Sequence, residues 1–95
     1  MEIKKIAVLG AGAMGHGIAQ VAAMAGFQVN MRDINDEILA GGMERIKWSL
    51  SKFAQKGRIT EDEAKKAAGR IKPVVPLKEA VKDIDYVIEA APEIL

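Results

Sequence analysis

Ala7-Val8-Leu9-Gly10-Ala11-Gly12-Ala13-Met14-Gly15-His16 places three glycines directly after an apolar run. Glycine loses more freedom on folding than any other residue, so three in six positions signal a backbone that side chains would obstruct. The spacing is G-x-G-x-x-G. In that pattern the first glycine gives a tight exit from a strand, the second lets a pyrophosphate touch the backbone, and the third lets a helix pack tightly on a sheet. Free amides at the helix start, aided by its dipole, then hold the anion without a lysine.

The flanks supply the context this motif needs. Residues 3–9 are nearly continuous in Ile, Ala, Val and Leu after the lysines, as in a strand covered on both faces. Over residues 14–25, Ile18, Val21, Ala22 and Ala25 recur at helical spacing, and Gly26 stands where a helix ends in the left-handed conformation. Residues 27–32 read as a second strand, with Phe27, Val29 and Met31 alternating, and it stops at Asp33-Ile34-Asn35-Asp36. Asp33 follows Gly10 by 23 positions, matching the offset at which a carboxylate takes the adenosine ribose hydroxyls. A glycine turn without a ligand explains the glycines but not this acid. The cofactor residues are therefore Gly10, Ala11, Gly12, Ala13, Met14, Gly15 and Asp33. A carboxylate bonds a 2′-hydroxyl and repels a 2′-phosphate, which favours NAD over NADP, while strand alternation turns Arg32 away from its neighbour.

Beyond the second strand, residues 36–56 read as a long helix with the stripe Leu39, Met43, Ile46, Leu50 and Phe53. Gly41 and Gly42 inside it cost about 1 kcal/mol each relative to alanine and point to a bend or a close contact. Gly57 ends the helix, and Thr60-Glu61-Asp62-Glu63 is a capping box that starts a second, antiparallel helix running to about Gly69. Residues 70–75 form a weak strand broken by Pro73, residues 78–82 a short helix, and residues 85–90 another buried strand. This alternation predicts an α/β fold of Rossmann type: a doubly wound parallel sheet, incomplete, with strand order 3-2-1-4 and a helical hairpin after strand 2.

The 95 residues carry 14 Lys and Arg against 13 Asp and Glu, a net charge of +1 that gives no electrostatic reason to expect nucleic acid or an anionic membrane as partner. Cysteine is absent, which excludes disulfides, thiolate metal sites and a cysteine nucleophile. The two lysines before an apolar run imitate a signal peptide, but the run breaks at once into glycines, and no stretch approaches roughly 18 apolar residues. A cytoplasmic protein is expected. His16, the single histidine, reads as a partly exposed helix residue. Trp48 reads as partly buried against the hairpin, and Lys65 and Lys66 as a solvated face. With no acid–base pair, ligand cluster or activated nucleophile in a plausible site, no catalytic residue and no metal ligand is assigned.

The stretch Ile6-Ala7-Val8-Leu9-Gly10-Ala11-Gly12-Ala13-Met14-Gly15, then Gly17-Ile18-Ala19-Gln20-Val21-Ala22 with Gly26, then Asp33, and finally Asp85-Tyr86-Val87-Ile88-Glu89-Ala90-Ala91-Pro92-Glu93 resembles the N-terminal part of the 3-hydroxyacyl-CoA dehydrogenase family. The resemblance implies that NAD lies on the glycine turn and Asp33, with Glu93 at the nicotinamide end. It also implies that Ser49 and Lys56, seven apart and so on one helical face, meet coenzyme A; a solvent-exposed polar face explains the same two residues. Family members have a catalytic histidine paired with a glutamate, a serine and an asparagine, all downstream, and a helical C-terminal domain that forms a homodimer. Residues 1–95 are thus expected to be the N-terminal part of a NAD-binding domain. The longer enzyme would oxidise (3S)-3-hydroxyacyl-CoA to 3-oxoacyl-CoA in fatty acid beta-oxidation or butyrate-type metabolism, and this chain alone would bind NAD without turnover. Two other readings stay open: a 3-hydroxyacid dehydrogenase whose substrate lacks CoA, and a non-catalytic dinucleotide-sensing module.

Overall fold

The structure, a computed structural model, describes residues 3–90. Its elements run β1 (Lys5–Leu9), α1 (Ala13–Met24), β2 (Gln28–Arg32), α2 (Asp36–Gln55), α3 (Glu61–Gly69), β3 (Ile71–Val74), α4 (Leu77–Val81) and β4 (Tyr86–Glu89). All strands are parallel, in the order β3-β2-β1-β4 that the alternation of elements predicts.

Register decides which side chains meet. Ile6 lies opposite Val29 and Val8 opposite Met31, so the four share one face of the sheet. There they pack with Ala19 and Ala23 of α1 and with Ile46 and Leu50 of α2. Val8, Val29, Met31, Ile46 and Leu50 are the largest fully buried side chains, each contributing about 1.5–3 kcal/mol by leaving water. Alanines on the inner side of α1 let that helix approach the strands closely. Asn30 points to the opposite face, where its Nδ2 donates to the Ala80 carbonyl of α4 at 3.0 Å. With both faces covered, β1 has the continuous apolar character of a central parallel strand.

Helix ends follow the local chemistry. Asn35 caps α2 by accepting from the Ile38 N–H at 2.8 Å. The capping box at α3 is complete, with Thr60 Oγ1 accepting from Glu63 N–H and Glu63 Oε1 accepting from Thr60 N–H. Gly26 and Gly57 take φ of 102° and 73°, the left-handed values expected at helix ends.

Three expectations need correction. Pro73 does not break its strand: β3 continues through it, opposite Met31. The Arg70 carbonyl accepts from Val29 N–H at 2.9 Å, so by alternation residue 73 directs its backbone polar groups to the open edge, where proline's missing donor is tolerated. The strand at 85–90 is not buried: Tyr86 and Val87 of β4 are 55% and 44% exposed, because among the described residues β4 is the other edge and pairs with β1 alone. Trp48 is 66% exposed instead of packed on the hairpin; it projects from α2 with the Lys52 ammonium 5.5 Å from its ring centre.

Asp85 fastens the start of β4 to the start of β1. Its Oδ2 accepts from the N–H groups of Lys4 and Lys5, both at 2.9 Å. Those two bonds, Lys4 first, hold its pKa below the ordinary 3.8, with the charges of the same lysines adding and desolvation opposing. A depressed carboxylate pKa stabilises the fold above the unfolded value, and the contribution is lost as pH falls through the folded one. The urea midpoint should therefore drop as the pH falls below about 4. Asp85→Asn should lower the midpoint at neutral pH and flatten that acid slope; an unchanged slope would mean other carboxylates carry it.

Candidate functional site

The site is built where β1 runs out. Gly10 leaves the strand at φ 118°, a value side chains rarely adopt, and its N–H donates to the Arg32 carbonyl at 2.6 Å. Ala11 is buried, and its N–H donates to Asp33 Oδ2 at 2.9 Å. Gly12 is the N-cap of α1 without any side-chain cap, and no acid occupies the first turn. The amides opening α1 thus keep their positive character.

The three glycines are needed for three different reasons. A Cβ at Gly15 would overlap the Gly10 carbonyl, so only glycine lets α1 start this close to β1. Among the described residues, a Cβ at Gly12 would meet nothing within 4 Å: that glycine leaves open the space they surround over the helix N-terminus. Gly10 supplies the turn. Met14 is exposed beside this opening, and Ala13 is the first residue of α1. A bare, uncapped helix N-terminus under open space suits a phosphate or pyrophosphate group.

Asp33, partly buried, stands at the end of β2 next to this loop. Its Oδ1 accepts from Ile34 N–H at 2.7 Å while Oδ2 holds Ala11, and each oxygen keeps a lone pair for a hydroxyl donor. Arg32 turns aside, its Nε donating to the Val75 carbonyl at 2.8 Å. His16 Nδ1 lies 2.7 Å from the Gly12 carbonyl, which gives the histidine a local role at the turn.

Ser49 and Lys56 share α2 but differ in setting. Ser49 is partly buried and its Oγ accepts from Gln20 Nε2 of α1 at 2.9 Å, whereas Lys56 is the exposed C-cap. Glu93 lies outside the described residues. Sequence reasoning left Gly42 between a bend and a close contact: the structure shows the contact, α2 meeting the glycine loop there with the Gly42 side-chain direction aimed at Ala11. Two adjacent glycines inside a long amphipathic helix were the signal. Among the described residues no group of His, Asp or Glu is placed to hold a metal ion, and no helix is long and apolar enough to cross a membrane.

Residues 5–95 match the family model described as 3-hydroxyacyl-CoA dehydrogenase, NAD binding domain. The chain belongs to this family. Its cofactor is NAD. A probable 3-hydroxybutyryl-CoA dehydrogenase of Bacillus subtilis is 50% identical over 93 residues, covering 98% of this chain and 32% of that protein. The glyoxysomal fatty acid beta-oxidation multifunctional protein MFP-a of Cucumis sativus is 36% identical over 97% of this chain and 13% of its own length. Among solved structures, (S)-3-hydroxybutyryl-CoA dehydrogenase from Ralstonia eutropha superposes with a TM-score of 0.93 at 37% identity, over 99% of this chain and 33% of that one. The chain thus spans a third or less of the relatives it matches.

The glycine loop of this NAD-binding domain makes separable predictions. Gly15→Ala should cost ~3 kcal/mol of stability through overpacking against backbone and abolish NADH binding. Gly12→Ala should leave the thermal midpoint nearly unchanged yet weaken NADH, because its methyl enters the open space. Thermal melts paired with NADH fluorescence titrations separate the two.

Proposed function

We propose that this chain is the NAD-binding part of a longer oxidoreductase that oxidises (3S)-3-hydroxyacyl-CoA at C3 to the 3-oxoacyl-CoA. The observation carrying the reading is the uncapped N-terminus of α1 opening into free space at Gly12, with the Asp33 carboxylate beside it. The relatives named 3-hydroxybutyryl-CoA dehydrogenases support the substrate class.

Within that reading, the backbone of Gly10, Ala11, Gly12, Ala13, Met14 and Gly15 receives the pyrophosphate, and Asp33 accepts from the adenosine ribose hydroxyls. Bound NAD supplies hydride-acceptor chemistry, and the protein's part is to bind and orient. Glu93 belongs at the nicotinamide end. Ser49 and Lys56 on α2 meet the nucleotide end of CoA, an exposed ammonium being suited to a phosphate; the Ser49 hydroxyl retains donor capacity while it accepts from Gln20. The acid and base for C3 belong to residues beyond this chain. The proposal includes a C-terminal domain that forms a homodimer, in the cytoplasm.

Calorimetric titration with NADH and NADPH tests the cofactor half. NADH should bind more tightly, and Asp33→Ala should weaken it about tenfold and remove the preference over NADPH. Equal affinities in the unaltered protein would remove the assigned role of Asp33. The substrate half is read by adding acetoacetyl-CoA to the NADH-loaded protein. Lys56→Gln should weaken that binding by roughly tenfold without changing NADH affinity, and an unaltered affinity for the CoA ester would favour a substrate without CoA.

A further inference from the structure

Gly41 and Gly42 are neighbours on α2, yet only one of them is constrained. Among the described residues a Cβ at Gly41 would meet nothing within 4 Å, whereas one at Gly42 would lie 2.9 Å from the Ala11 carbonyl oxygen, 3.2 Å from Met31 Cε and 3.3 Å from Ala11 Cβ. The methionine methyl is the end of a flexible side chain and can yield. The Ala11 oxygen is backbone, and it belongs to the same rigid peptide plane as the N–H of Gly12.

Ala11 is therefore gripped on both of its peptide bonds. The Gly10–Ala11 peptide is fixed by Gly15 packing on the Gly10 carbonyl and by Asp33 accepting from Ala11 N–H. The Ala11–Gly12 peptide has α2 against its oxygen at Gly42. Any group displacing that oxygen rotates the plane and re-aims the Gly12 amide, which lies at the open helix N-terminus.

We infer that Gly42 is a positioning residue for the cofactor: through backbone contact with Ala11 it sets the direction of the Gly12 N–H toward the pyrophosphate, from a helix outside the G-x-G-x-x-G motif. The contact acts on the phosphate-binding part of the loop and leaves the ribose-binding carboxylate of Asp33 in place. It rests on nucleotide binding at the loop and is independent of the acyl substrate.

The test compares Gly42→Ala with Gly41→Ala, two substitutions that favour α2 equally by helix propensity. ADP and adenosine serve as probes with and without the pyrophosphate, followed by amide chemical-shift titration, and NADH is followed by fluorescence. Gly42→Ala should weaken ADP and NADH by roughly tenfold while adenosine stays within about twofold, and Gly41→Ala should match the unaltered protein throughout. Equal losses for ADP and adenosine would show general loosening and overturn the inference, as would unchanged ADP affinity. If Gly42→Ala does not fold, the unaltered protein decides: on adding ADP, the Gly42 amide resonance should shift along with those of Ala11 and Gly12, and a Gly42 signal that stays still while the loop responds overturns the inference. An unaltered protein that binds NADH poorly but adenosine normally would likewise contradict a loop set for pyrophosphate.

Discussion

Because the Gly10 carbonyl fills the space beside Gly15, α1 begins directly off the end of β1 with no side chain between them. That one approach fixes the rest of the glycine loop. It brings the uncapped amides of α1 over the C-terminal edge of the sheet, the edge at which open parallel sheets place their ligands. It also leaves Ala11 buried, so that Asp33 at the end of the neighbouring strand reaches its N–H. The proposed cofactor end is thus organised mainly by backbone, with one carboxylate as its polar anchor.

The helical hairpin adds a second layer to the same face. Ile46 and Leu50 of α2 bury against Val8, Val29 and Met31, which fixes the helix over the sheet and so fixes where Gly42 falls. The residues associated with coenzyme A through family resemblance, Ser49 and Lys56, are on this same helix, and Ser49 is tied back to α1 through Gln20. One element therefore touches the glycine loop and carries the two residues proposed to meet the substrate.

Much of this was legible in the residues because it is local. A strand's apolar run, the three glycines and an acid at a fixed offset are all encoded within one β-α-β stretch, and the capping box at Thr60 and Glu63 is encoded within four residues. What escaped depends on tertiary neighbours. Gly42 shows its reason only when α2 is laid on Ala11. Tyr86 and Val87 have the composition of a buried strand, but burial depends on what lies beside β4, and among the described residues β1 is its one paired neighbour. Trp48 is apolar enough for a core, yet its angular position on α2 points it outward. Pro73 signalled a break where an edge position accommodated it. The roles of Ser49, Lys56 and Glu93 rested on family resemblance, since side-chain type and helical spacing fit an ordinary polar surface equally well.

The bonds from Lys4 and Lys5 to Asp85 join residues 81 and 80 positions apart. β1 is a central strand and the first to be synthesised, but its partner β4 is the last of the four. At about 5–20 residues per second, β1 waits roughly 4 to 16 s for that partner on the ribosome. During this interval its apolar run has β2 for company on one side and an open backbone edge on the other. The topology that places the glycine loop at the centre of the sheet thus makes early, non-native pairing of that edge the characteristic hazard of its folding.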